Sequence, residues 1–63
     1  MTYEEAVKMT NRFPRDKNVP SLLADAIKKA KGIEKDLLGE LVEGLILSCD
    51  SSEDFELVEK YFD

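Results

Sequence analysis

The chain has 63 residues and a net charge of −5, with no histidine, no tryptophan and a single cysteine. Without histidine the most frequent general acid–base group is missing, and Cys49 alone can make neither an internal disulfide nor a Cys/His zinc site. A chain this short exposes about 4,100 Å² when folded against about 10,400 Å² extended, so a single domain burying only about 60% of its surface is expected.

Acids and bases are unevenly placed. Residues 1–35 hold eight bases and five acids, a local charge of +3, whereas residues 36–63 hold nine acids and one base, a local charge of −8. Packing the two halves together would partly neutralise them. No apolar run exceeds three residues, as in Leu45-Ile46-Leu47, far short of the ~20 that a membrane-spanning helix needs. The N-terminus lacks the basic and apolar segments of a secretory signal. With the lone thiol suiting a reducing compartment, a cytoplasmic setting is expected.

The first helix is expected over residues 3–13. Thr2-x-x-Glu5 is a capping box, in which hydroxyl and carboxylate each take one otherwise unpaired backbone N–H. Tyr3, Ala6, Val7, Thr10 and Phe13 share one face, and Glu4–Lys8 is a favourably ordered i,i+4 pair. Pro14 ends the helix, because it disfavours helical geometry at Phe13 and donates no N–H. Residues 14–20 then form a polar connection between two prolines, with Val19 either turning inward or acting as the hydrophobic staple of the next helix.

The second helix is expected over residues 20–31, with Pro20 in its first turn and Leu22, Leu23, Ala26, Ile27 and Ala30 as its buried stripe. Asp25 can pair with Lys28 or Lys29. Lys28, Lys29 and Lys31 complement the dipole at its end, and Gly32 is expected to close it in the left-handed conformation.

The third helix, residues 34–49, is the most apolar and is expected to be central. Ile33, Leu37, Leu38, Leu41, Val42, Leu45, Ile46 and Cys49 cover more than half of its wheel. Asp36, Glu40 and Glu43 line the other face, with Leu47 continuing that stripe. Gly39 and Gly44 each cost about 1 kcal/mol relative to alanine, which suggests close approach by a neighbouring helix. The fourth helix, residues 53–62, is capped by Ser51 or Ser52. It carries Phe55, Val58, Tyr61 and Phe62 on one face, Leu57 at its edge, and a Glu56–Lys60 pair. Asp63 and the terminal carboxylate sit at the negative dipole end, so the last turn should fray. The expected fold is an all-α, compact four-helix domain with Leu23, Ile27, Leu38, Leu41, Val42, Leu45, Phe55 and Val58 in its core.

The first and last helices share an order of cap, acids, aromatic, aliphatic and lysine. That opening resembles the start of helices in helical repeat proteins, although the chain is too short for the three repeats a solenoid requires. Ser51-Ser52-Glu53-Asp54-Phe55-Glu56-Leu57-Val58 resembles an acidic helix opening of bacteriocin immunity proteins. The resemblance covers eight residues and the family's other features are lacking, so membership is not claimed.

Residues able to carry chemistry are few. The acidic pairs lie on predicted wet faces, where nothing raises a carboxyl pKa. Asp50, Ser52 and Asp54 match the first three ligand positions of an EF-hand loop, but Phe55 stands where glycine is needed and Tyr61 where the bidentate glutamate is needed. Cys49 reads as a buried structural thiol. Arg12, Arg15, Lys17, Lys28, Lys29, Lys31 and Lys35 could form a basic patch, and residues 20–49 permit a helix-turn-helix. No helix, however, combines several bases with side chains that read base edges. Neither catalysis nor a cofactor or metal is therefore expected.

The expected role is a non-catalytic protein-interaction or regulatory module. Its candidate surface is Asp36, Glu40, Glu43, Leu47, Leu57 and Tyr61. The alternatives are an acidic inhibitor or immunity-type protein occupying a basic site on a nucleic-acid enzyme or toxin, and a small DNA-binding regulator using the basic half. A weak homodimer is expected to cover Met9, Leu47, Leu57 and Tyr61.

Overall fold

Thr2 opens the first helix as the capping box requires: its Oγ1 accepts from the Glu5 N–H at 3.2 Å, and the Glu5 carboxylate accepts from the Thr2 N–H at 3.4 Å. The computed structural model describes residues 2–62. Four helices follow in chain order: α1 Tyr3–Thr10, α2 Val19–Lys29, α3 Ile33–Ser48 and α4 Ser52–Phe62. There is no strand among the described residues. The molecule is a small all-α four-helix domain, as expected. Among the described residues no helix is long and apolar enough to cross a membrane. Asp63, where fraying is expected, lies outside the described residues.

The boundaries differ from expectation for local reasons. α1 ends at Thr10 rather than residue 13, and the chain tightens into i→i+3 bonds from Arg12 N–H to the Met9 carbonyl and from Phe13 N–H to the Thr10 carbonyl. Pro14 has no N–H to offer Thr10, so the shorter bond takes over. The Phe13–Pro14 peptide is cis. The connection then turns at Asp16, whose Oδ1 accepts from the Asn18 N–H at 3.0 Å, an Asx turn that leads into α2.

α2 ends at Lys29 because Ala30 is extended (φ −81°, ψ 159°). Gly32 does take a positive φ of 62°, but its ψ of −135° is not left-handed helix, and it stands as the N-cap of α3 rather than the terminator of α2. Here glycine is needed: a side chain at that φ and ψ would be strained. At the other end of the molecule Ser51 Oγ accepts from the Asp54 N–H at 3.3 Å, the expected cap of α4.

The core is Ala6, Met9, Phe13, Val19, Leu23, Leu38, Leu45 and Val58, with Ile27, Leu41, Val42, Cys49, Leu57 and Phe62 packed around it. Several placements correct the sequence reading. Met9, expected beyond the edge of its stripe, is buried, and Tyr3 is exposed instead. Ala6, Met9 and Phe13 at i, i+3 and i+7 are the seam that meets the other helices, with the flexible methionine filling the gap. Phe55, expected in the core, is 46% exposed, and Ile27, Leu41 and Val42 are half-buried. Leu22 is also exposed. The Glu4–Lys8 and Glu56–Lys60 pairs do not form among the described residues. Lys60 Nζ instead lies 5.5 Å from the Tyr61 ring centroid.

α3 is not alone at the centre. α2 and α3 each contact all three other helices, while α1 and α4 flank them. The folded surface is 4488 Å², somewhat more than the about 4,100 Å² expected for this mass. The apolar side of α3 that faces away from its neighbours contributes to that excess.

Candidate interaction surface

α3 is apolar on two opposite sides. Its inner side presents Leu38 and Leu45, both fully buried, with Leu41, Val42 and Cys49 beside them. Its outer side carries residues 33, 37, 40, 44 and 47, which fall within about 80° of arc at 3.6 residues per turn. Three of these are large aliphatics left in water: Ile33 is 78% exposed, Leu37 38% and Leu47 86%. Between them stand Glu40 and Gly44. A Cβ built on Gly44 meets nothing within 4 Å, and neither does one on Gly39. The close helix approach expected at these glycines is therefore absent among the described residues.

Asp36, Glu40 and Glu43 are exposed along this same face. None takes part in an ion pair among the described residues. The pairs present are Arg12–Asp16 at 3.6 Å, Lys17–Asp54 at 2.6 Å and Lys29–Asp25 at 3.0 Å. The outer face thus joins exposed aliphatic surface to uncompensated negative charge.

Of the six candidate residues, the structure brings together four: Asp36, Glu40, Glu43 and Leu47. Leu57 packs against the core. Tyr61 borders an open hollow with Ser21, Ala24, Lys28, Lys35 and Phe62 on another side of the molecule. Ile33 and Leu37, which their hydrophobicity places on the buried side, complete the outer face instead. Their 4-3-4-3 spacing with 40, 44 and 47 places them on one face, but Leu38, Leu41 and Leu45 share the same 3-4 spacing on another, and only the packing separates the two.

The best-buried charge lies elsewhere, where the α1–α2 connection meets the start of α4. The Asp54 side chain is 3% exposed. Its Oδ1 accepts from Lys17 Nζ at 2.6 Å and its Oδ2 from the Asp50 N–H at 3.0 Å. The hydrogen bond from Lys17, followed by that from Asp50, holds its carboxyl below the usual aspartate range against the opposing effect of burial. With each oxygen accepting a charge-assisted or backbone hydrogen bond, Asp54 stays an anion. Nearby, the Cys49 Sγ–H donates to the Leu45 carbonyl at 3.3 Å. Burial, then the Asp54 and Asp50 carboxylates, push its pKa up, so the thiolate needed for nucleophilic attack is disfavoured.

Comparison with known protein families, with curated proteins and with solved structures finds no match to this chain.

Proposed function

We propose that this chain is a non-catalytic protein-interaction module whose contact surface is the outer face of α3. The observation that carries the reading is the row Ile33, Leu37 and Leu47, left in water beside Asp36, Glu40 and Glu43. Exposed apolar surface rimmed by charge is what partner-binding faces share. A cytoplasmic setting accords with the single reduced thiol.

The test is site-specific photo-crosslinking in the native cell, with the photoreactive residue placed at position 44 or, as a control, at position 60 on the exposed side of α4. The expected result is a discrete adduct from position 44 that disappears with Leu47→Glu. Adducts of equal yield from both positions, or an adduct indifferent to Leu47→Glu, would reject the reading.

The second reading, an acidic inhibitor seated in a basic site, draws support from the same three uncompensated acids. It differs in its salt and mutational response. An acid-driven contact fades steeply with ionic strength and is lost in a triple Asp36→Asn, Glu40→Gln, Glu43→Gln variant, while Leu47→Glu leaves it intact. For a nucleic-acid role the bases offer less, because Arg12, Lys17 and Lys29 are each engaged with an acid of the chain.

A further inference from the structure

We infer that the outer face of α3 takes one cationic amphipathic helix, with which it forms a short two-helix coiled coil. This rests on the interaction reading above and names the chemistry of the partner. The spacing 33, 37, 40, 44, 47 is a 4-3-4-3 heptad seam, with 37 and 44 as a positions and 33, 40 and 47 as d positions. At 1.5 Å per residue it runs for about 21 Å. The face belongs to a single helix whose backbone bonds are internal, so it offers no strand edge for an extended peptide to join. Another helix, interleaving its side chains with Ile33, Leu37 and Leu47, is the element that fits.

The charges select the sign of that helix. In the same register Asp36 and Glu43 are the g positions and Glu34 is an e position, the places where coiled coils choose partners by interhelical ion pairs. All three are exposed, and none is paired among the described residues. Glu40 sits within the seam itself. Beside it Gly44 leaves an open gap, which a long lysine or arginine stem from the partner can cover while its head reaches Glu40.

The same geometry argues against a second copy of this chain. A two-fold axis through the middle of the seam falls at residue 40 and sets Glu40 against its own equivalent. Parallel in-register pairing does likewise and adds no cation at e or g. The seam also offers only three large apolar side chains, Ile33, Leu37 and Leu47, so the contact is weak and reversible.

The experiment is a titration of the ¹⁵N-labelled 63-residue chain, followed by amide chemical shifts, with three synthetic three-heptad peptides. One has leucine at a and d with lysine at e and g, the second replaces lysine by glutamate, and the third scrambles the order of the lysine peptide. The lysine peptide should shift the amides of Ile33, Leu37, Glu40, Gly44 and Leu47. The glutamate peptide should not, and the scrambled peptide should bind about tenfold more weakly or worse. Leu47→Glu and Glu40→Lys should each weaken the lysine peptide by about tenfold, an ordinary effect for an interfacial charge or apolar anchor. A double Glu40→Lys, Glu43→Lys variant should instead admit the glutamate peptide, a gain that misfolding cannot produce.

Shifts centred on another helix would overturn the inference, as would equal binding of the lysine and scrambled peptides. Concentration-dependent shifts of the same amides without any peptide would assign the seam to a second copy and overturn it too. If all peptides fail while the position-44 adduct still forms and still needs Leu47, the partner's chemistry is wrong and the interaction reading stands. If both fail, the interaction reading falls as well.

Discussion

Among the described residues Asp54 is the one buried charge, and it ties two distant parts of the chain together through Lys17 and the Asp50 amide. Its carboxyl titrates below its ordinary value of 3.8, so on acidification the unfolded chain takes up the proton first. The stabilisation is full above that value and is lost as the pH falls through the lower folded-state value. Asp54→Asn should therefore lower the urea midpoint at neutral pH, with the gap to wild type closing as the solution is acidified. A gap constant with pH would show that the ion pair contributes nothing. Leu45 and Leu41 divide similarly by environment. Leu45 is fully buried and Leu41 is half-buried, so Leu45→Ala should cost about 2–5 kcal/mol and Leu41→Ala distinctly less, both read by chemical denaturation. Cys49, its thiol pushed up and bonded to Leu45, should alkylate more slowly than free cysteine at the same pH. Cys49 is half-buried rather than fully buried as expected, and a rate equal to the free amino acid would contradict even that partial burial.

At the scale of the helix, α3 decides most of what is distinctive. Its inner seam of Leu38, Leu41, Val42 and Leu45 serves the bundle, while the outer one of Ile33, Leu37 and Leu47 does not. Gly39 and Gly44 stand on this helix with open space around them. They weaken the helix without easing any contact inside the chain, so Gly39→Ala and Gly44→Ala should each stabilise the protein by about 1 kcal/mol. Thermal unfolding followed by circular dichroism measures this directly. A loss of stability on either substitution would mean that a neighbour fills the space after all.

For the molecule as a whole, self-association was expected in order to cover Met9, Leu47, Leu57 and Tyr61. Met9 is buried and Leu57 packs on the core, which removes half of that demand. The α3 seam sets Glu40 against itself in the two in-register pairings, and the net charge of −5 adds repulsion within a screening length of about 8 Å. Sedimentation equilibrium at micromolar concentrations should therefore show a single species at the monomer mass of 7.2 kDa. A mass that rises with concentration, and that Leu47→Glu restores, would show that the chain pairs with itself through α3.

The number and order of helices, the caps at Thr2 and Ser51 and the Asp25–Lys29 pair were legible in the sequence, because they rest on neighbours within a few residues along the chain. Thr2 and Glu5 meet in any helix that begins there, and a proline lacking its N–H ends α1 in any context. Four of the six candidate surface residues were legible for the same reason, since Asp36, Glu40, Glu43 and Leu47 share a face by periodicity alone. What periodicity could not decide was how many faces of α3 find neighbours. A helix apolar over more than half its circumference reads as central, but three short helices cover only one side of it, and hydrophobicity does not record that shortage. Hydrophobicity therefore points Ile33, Leu37 and Phe55 inward, whereas the packing leaves all three exposed. Likewise no local rule places Lys17 beside Asp54, thirty-seven residues apart. Only the packing of the α1–α2 connection against the start of α4 brings that cation to the carboxylate. Tertiary structure decided which apolar faces and which charges were left over, and those leftovers are the surfaces on which the proposed function rests.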